Sequence, residues 1–211
     1  MTDPISPSLR QDLEQALLVL KQGGVVAFPT ETYYGLAVDP FNHQALDRLF
    51  QLKQRPLAKP ILVLIDNQGH LPRLVAEIPD RFQPLMGRFW PGPLTLIFPA
   101  HPHLSPILTA GTGTVGVRIS SHPLAQRLCA SAGGAITATS ANLSGHAPAA
   151  SEQEVLAQFG QRLDWLLKGG PTHGGPASTI VTADRDALCV IRQGAIPFGV
   201  IEQAGTLTNQ A

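Results

Sequence analysis

The residues with chemistry to offer lie in polar segments that follow apolar runs. Lys53-Gln54-Arg55-Pro56 is one. Pro56 disfavours the α region at Arg55, so a helix reaching this point ends near Lys53. In extended chain, residues two apart face one side, which points Lys53 and Arg55 at one anion with Lys59 nearby. A guanidinium fork beside an ammonium point charge suits a polyphosphate. A solvated basic surface after a helix C-terminus accounts for the same three residues. Thr139-Ser140-Ala141-Asn142-Leu143-Ser144-Gly145 follows the apolar run from Ala135. In open α/β sheets ligands sit beyond the carboxyl ends of strands, and hydroxyls with an amide there suit phosphate or ribose oxygens. A turn that caps its own backbone is the competing reading. Pro29-Thr30-Glu31-Thr32-Tyr33-Tyr34-Gly35-Leu36 is a third such loop. Thr30 and Thr32 suit a polar ligand, and Glu31 reads either as a base or as an exposed side chain. Arg118 interrupts the apolar run Val115–Ile119. A charge there either faces solvent or is buried and paired, and a site arginine would hold a carboxylate. Arg192, closing the last strand, has the same two readings.

Several familiar chemistries are absent from the pattern. Gly111–Gly116 matches G-x-G-x-x-G, but the dinucleotide fingerprint needs a strand before it and a helix opening at it. A strand-like run comes next instead, so these glycines read as a turn between strands, able to bring N–H groups near a phosphate. There is no G-x-x-x-x-G-K-[ST] and no HExxH among the seven histidines. His101-Pro102-His103 reads as surface. No G-x-S-x-G surrounds Ser140 or Ser144, which argues against a hydrolase nucleophile. Cys129 and Cys189 show no CxxC, so no disulfide framework or cysteine metal site is expected, and a reducing, cytoplasmic location fits. No signal peptide is visible after Met1, and no apolar run is long enough to span a membrane. Fifteen Lys+Arg balance fifteen Asp+Glu, which gives no support for bulk nucleic-acid binding.

The elements that must position these residues are readable. The 211 residues are 44% apolar and 14% charged, enough for one folded domain without staples. Twenty glycines and nineteen prolines predict many tight turns. Ser8 and Gln11 form a capping-box pattern, and Leu9, Leu13, Leu17 and Leu20 follow at helical steps before Gly23-Gly24. Further helices are expected at His43–Leu52, capped by Asn42, at Asp80–Phe89 with Pro84 inside it, at Pro123–Ala130, and from Ser151 to Gly160. Strands are expected at Val25–Phe28, Ile61–Ile65, Leu94–Phe98, Val115–Ile119, Ala135–Thr139, Trp165–Leu167, Thr179–Val181 and Leu188–Ile191. Helices alternate with strands, but some strands follow one another directly. That predicts a single α/β domain over residues 1–211, core about 9–200, with a mixed sheet, flanking helices and a polar tail that frays after Thr206.

Taken in order, the segments form a pattern. Pro29–Leu36, Lys53–Pro56, Trp90-Pro91-Gly92-Pro93-Leu94-Thr95, Val117–Ile119, Thr139–Gly145, Ser178–Val181 and Ile191-Arg192-Gln193-Gly194 together resemble the YrdC-like family of threonylcarbamoyl-AMP synthases, from about Leu13 to Gly194. The resemblance implies a twisted α/β sheet around a concave cavity. It also implies a nucleotidyltransferase reaction, in which ATP, L-threonine and bicarbonate (or CO2) give threonylcarbamoyl-AMP and pyrophosphate, with Mg2+ accompanying ATP. The product would pass to tRNA threonylcarbamoyl-transfer proteins for the t6A modification of adenosine 37, with tRNA contact a further implied partner. Position by position, Lys53, Arg55, Ser140, Asn142, Arg192 and Thr114 resemble the ATP-binding set, with Lys53 and Arg55 catalytic. Thr30, Arg118, Ala138 and Ser178 resemble the threonine set. No protein metal site and no general base are implied.

This sequence also departs from the family pattern. Thr182 stands where an Asp is common, so no acidic role is assigned there. The chain stops soon after Arg192 and resembles the short, single-domain form. The alternative is a non-catalytic RNA- or nucleotide-binding module of the same fold, which would use the same cations with a steep salt dependence.

Overall fold

Leu13, Ala16 and Leu20 share one helical face, and that face is buried. The computed structural model describes residues 6–184 and 187–206. The first helix, α1, runs Pro7–Lys21. Its cap is Ser6, whose hydroxyl accepts from Leu9 N, rather than the expected Ser8. Pro7 is the reason: proline is preorganised for the first helical turn, so the helix starts there and Ser8 falls inside it. The strands β1 (Val26–Phe28) and β2 (Gly35–Ala37) follow, then α2 (His43–Lys53), capped by Asn42 as expected. Next come β3 (Leu62–Ile65), a 3-10 turn at Gln68–Arg73, and α3 (Phe82–Phe89). Pro84 is in the first turn of α3, where its missing N–H has no helical acceptor to lose. The chain continues through β4 (Leu94–Pro99), the short α4 (Pro106–Thr109), β5 (Thr114–Arg118), α5 (Pro123–Ser131) and β6 (Ala135–Ser140). It finishes with α6 (Glu152–Phe159), β7 (Trp165–Leu166), β8 (Thr179–Asp184), β9 (Ala187–Arg192) and α7 (Phe198–Thr206). The polar tail expected to fray lies outside the described residues. Among the described residues no helix is long and apolar enough to cross a membrane.

The sheet has nine strands in the order β7-β1-β2-β6-β3-β5-β4-β8-β9. It is mixed: β3 pairs parallel to β5 but antiparallel to β6, and β4 pairs parallel to β8 but antiparallel to β5. Alternation along each strand sorts the core into two layers. Val25, Ala27, Leu36, Val63, Leu96, Val117 and Val181 face the larger layer, with α2 and α3. Ile201 and Ala204 of α7 join it, so the core extends past the expected residue 200. Val26, Phe28, Ala37, Leu64, Ile136 and Ala138 face the other layer, under α1 and α5. The alternate residues of β4, β5 and β8 point to that second face too, but α1 and α5 cover β1, β3 and β6 instead. The bare stretch of sheet becomes the floor of a cavity.

Thr137 shows how closely the ladder is satisfied. Its hydroxyl accepts from Val38 N at 2.9 Å, in the interior between β2 and β6. Thr137→Val keeps the shape and strands that N–H, so a loss of about 1–3 kcal/mol is expected in urea unfolding. An unchanged midpoint would show that Val38 N finds another acceptor.

Candidate active site

The cavity encloses about 480 Å³ and crosses the bare sheet face. Its floor is Leu62, Ile97, Gly116 and Ile180. A Cβ at Gly116 would lie 3.1 Å from Ile97 Cδ1 and 3.3 Å from Leu62 Cδ2, so glycine keeps the floor low. The G-x-G-x-x-G run is accounted for by this and by the turn before β5, where Gly111 and Gly113 have φ of +68° and +69°. The polar groups gather at two ends. Arg118 is paired with Leu64, whereas Ser140 lies two residues beyond Ala138, the partner of Leu62. They therefore sit toward opposite ends of β3. This differs from the expected crevice at carboxyl strand ends, because neighbouring strands of a mixed sheet present their carboxyl ends at both edges.

At the first end, α2 stops where Gln54 turns left-handed, with φ 51°. That turn breaks the extended geometry expected to aim Lys53 and Arg55 together. Lys53 is 1% exposed, and its ammonium donates to Ser140 O and, at 2.7 Å, to Asn142 O. Burial, then the charge of Arg55, pulls its pKa from 10.5 down to about 7. Arg55 instead lines the cavity, its guanidinium donating to Lys59 O at 3.1 Å and Pro60 O at 2.8 Å. Ser140 and Asn142 also line it, the serine hydroxyl donating to Asn142 Oδ1. The Asn142 amide is fixed by Leu143 O and His146 O, both at 2.8 Å.

At the other end, buried Ser178 shares a hydrogen bond of 2.9 Å with Thr95 Oγ1. Arg192 donates to Ser178 O through Nη2 at 2.8 Å and Nε at 3.2 Å, and to Ser178 Oγ at 3.1 Å. Burial lowers the Arg192 pKa, and the charge of Arg118 lowers it further. Arg118 is buried, with Nη1 3.2 Å from Glu31 Oε1. The burial lowers its pKa and Glu31 opposes that. Thr30 is buried at the cavity wall, its hydroxyl donating to Tyr33 O at 2.6 Å. Ala138 is also in the wall.

The structure thus brings Arg55, Ser140, Asn142, Arg192, Thr30, Arg118, Ala138 and Ser178 around one cavity. Lys53 stands behind the wall on two carbonyl oxygens. Thr114 is outside the lining, its hydroxyl bonded to Thr112 Oγ1 at 2.9 Å. Two residues were not singled out as ligands from the sequence. The Tyr34 hydroxyl donates to Gly170 O at 2.7 Å and ties the first loop to the 168–177 segment. Ser120 donates to Glu31 Oε2, a contact foreshadowed only by its same-face spacing from Arg118. Among the described residues no group of three or more His, Cys, Asp or Glu could hold a metal ion.

A mixed sheet with a cavity lined by guanidinium, hydroxyl and amide groups on one bare face defines an α/β fold with a cationic cleft. The Sua5/YciO/YrdC family model, described as "Telomere recombination", matches residues 18–194. The chain belongs to this family. It is 39% identical over 203 residues to the threonylcarbamoyl-AMP synthase of Bacillus subtilis, covering 96% of this chain and 58% of that protein. It is 37% identical to the threonylcarbamoyl-AMP synthase of Photobacterium profundum, covering 87% of this chain and 99% of that protein. Pyrococcus abyssi Sua5 complexed with L-threonine superposes with a TM-score of 0.88 at 34% identity, covering 91% of this chain and 56% of that one. The chain thus spans a little over half of two of these relatives and nearly all of the third.

The buried lysine gives a test with a definite sign. Its folded pKa, about 7, lies below its ordinary value of 10.5. Between the two the unfolded chain binds more protons, so the native state gains on the unfolded one as pH rises. Lys53→Met removes that gain, and its deficit in urea unfolding is expected to be wider at about pH 9 than at about pH 6. Equal deficits would mean that the two carbonyl oxygens keep the ammonium charged throughout.

Proposed function

We propose that this chain makes threonylcarbamoyl-AMP from ATP, L-threonine and bicarbonate (or CO2). The observation that carries this is the two-ended cavity, with Arg55, Ser140 and Asn142 at one end and Arg118, Ser178 and Arg192 at the other. The threonine amine adds to bicarbonate with loss of water, giving a carbamate. A carbamate oxygen then attacks the α-phosphorus of ATP and pyrophosphate leaves. A bidentate guanidinium fork fits the threonine carboxylate, which is the role of Arg118. Arg55 and the Ser140/Asn142 pair take the phosphates and ribose, and Arg192 meets charge that develops between the ends. Lys53 acts from behind the wall, by shaping the loop that carries Ser140 and Asn142.

The chain's own groups hold and orient the reactants, and positioning with charge stabilisation supplies the rate. Mg2+ would accompany ATP as part of the substrate and offset phosphate charge. The cavity donors are cations, hydroxyls and an amide, and the carboxylate beside them, Glu31, is taken up by Arg118 and Ser120. The product goes to proteins that transfer threonylcarbamoyl to adenosine 37 of tRNA in the cytoplasm. With no net charge, any direct tRNA contact is a local one rather than the work of overall charge.

Incubation with ATP, Mg2+, L-threonine and bicarbonate is expected to give threonylcarbamoyl-AMP by mass spectrometry, dependent on both threonine and bicarbonate. Arg55→Ala is expected to lower turnover about 100-fold, the effect of removing one preorganised donor. A folded protein that binds ATP and makes no product would favour the non-catalytic nucleotide- or RNA-binding alternative.

A further inference from the structure

Arg118 is held in an uneven way. Its Nη1 faces Glu31 Oε1 at 3.2 Å, while its Nε is buried without a hydrogen-bond partner. A guanidinium presents forks of N–H groups that match a carboxylate, and the occluded Nε is not among the groups open to the cavity. Arg118 nevertheless lines the cavity, so a ligand carboxylate arriving there meets a guanidinium already held on its protein side by Glu31.

Glu31 is held just as firmly. Its Oε2 accepts from Ser120 Oγ, and Ser120 Oγ in turn accepts from His122 N at 3.2 Å. Ser120 is 1% exposed and the Glu31 side chain 15%. Oε1 faces Arg118 across the ion pair, buried and without a hydrogen bond of its own, while Oε2 is on Ser120, so both oxygens are turned toward the protein. Its place is also unusual in the chain. Glu31 comes from the β1–β2 loop, beyond the Ser140 end of the sheet, yet it reaches Arg118 toward the other end. The loop that carries Thr30 is thereby tied across the cavity to β5.

We infer that Glu31 is a positioning residue for the carboxylate end of the site: held by Ser120, it fixes Arg118 so that the guanidinium stays at the cavity wall in place for the ligand carboxylate. Its negative charge also balances a buried guanidinium that lies close enough to Arg192 to repel it. This rests on the proposed reaction, because that reading supplies a carboxylate substrate.

The test compares L-threonine with L-threoninamide, which lacks the carboxylate charge, in the wild type and in Glu31→Gln. The variant keeps the size of the side chain and removes its charge. Loss of an aimed, charge-assisted contact is expected to raise the KM for threonine roughly tenfold or more, with the KM for ATP and kcat within about threefold. The preference for threonine over threoninamide should shrink by the same factor, which a merely structural role would not produce. A folded Glu31→Gln protein whose threonine KM and threoninamide preference stay within about twofold of wild type would overturn the assignment. If Glu31→Gln does not fold, Ser120→Ala decides. It frees Glu31 Oε2 but keeps the ion pair, and a threonine KM raised severalfold supports the role, whereas an unchanged one removes it. A wild type that makes no threonine-dependent product overturns the reaction instead, and calorimetric titration of the same proteins with L-threonine and L-threoninamide then decides the role of Glu31 on the same criteria.

Discussion

A lysine ammonium shut away from water has to find oxygen atoms, and those it finds here organise the site. Lys53 ends α2, and its Nζ donates to Ser140 O and Asn142 O, the carbonyls where β6 gives way to its loop. The same loop answers from its far side, with Ser144 N donating to Lys53 O at 3.0 Å. Ala141 N donates to Tyr34 O at 2.7 Å, and Tyr34 N to Ala149 O at 2.9 Å. The entry to β2 and the exits of α2 and β6 are therefore one hydrogen-bonded unit. Leaving any of these groups unpaired inside the protein costs about 1–3 kcal/mol, so the arrangement is strongly determined. The Ser140 hydroxyl and Asn142 amide face the cavity because their backbone is fixed from behind.

The sheet supplies the second constraint. If its strands all ran parallel, their carboxyl ends would collect at one edge, and so would the polar loops. With β6 antiparallel to β3 and β3 parallel to β5, the loop after β6 and the end of β5 fall at opposite ends of the same face. A ligand that reaches both ends, as the proposed reaction requires, would run obliquely over β3. A low floor becomes necessary, which is the reason for glycine at position 116 in the middle of a strand that otherwise favours branched residues. Because α1 and α5 lie over β1, β3 and β6, the face above β4, β5 and β8 stays available.

Much of this was legible in the sequence where a pattern has a period. The leucines of α1, the cap at Asn42 and the apolar run at Ile61–Ile65 all gave elements close to those observed. Short elements were not. Three residues of β2 follow a polar loop with no alternation of their own, and only pairing with β1 and β6 makes them a strand. In α7, Gly199 sits near the start and Pro197 just before it, so local propensity gave a poor helix signal; packing of Ile201 and Ala204 into the core supplies what propensity lacks. At Lys53-Gln54-Arg55 the spacing was read as extended. The left-handed turn at a non-glycine residue has no sequence signature, and it sends the two cations to different places. Burial decided the rest: whether Glu31 was a base or a surface residue depended on a neighbour 89 positions away, Ser120.

These placements divide the charged groups by function. The cavity presents guanidinium groups, which stay charged even when partly buried, on the surface where the proposed reaction puts its anionic ligands. Lysine, whose proton is easily lost on burial, is kept behind the wall, where either protonation state can donate to a carbonyl oxygen. The two ends also differ in how far they are neutralised. Arg118 carries its own counter-charge in Glu31 and is fixed by it at the cavity wall, which suits the monoanionic carboxylate of the proposed reaction. Among the described residues Arg55 donates to neutral carbonyl oxygens, Lys59 O and Pro60 O, and pairs with no carboxylate, which suits the more highly charged phosphates of the proposed reaction. A ligand bearing a carboxylate at one end and phosphate at the other therefore has one favourable direction across the sheet, and the reverse placement would set the larger negative charge beside Glu31.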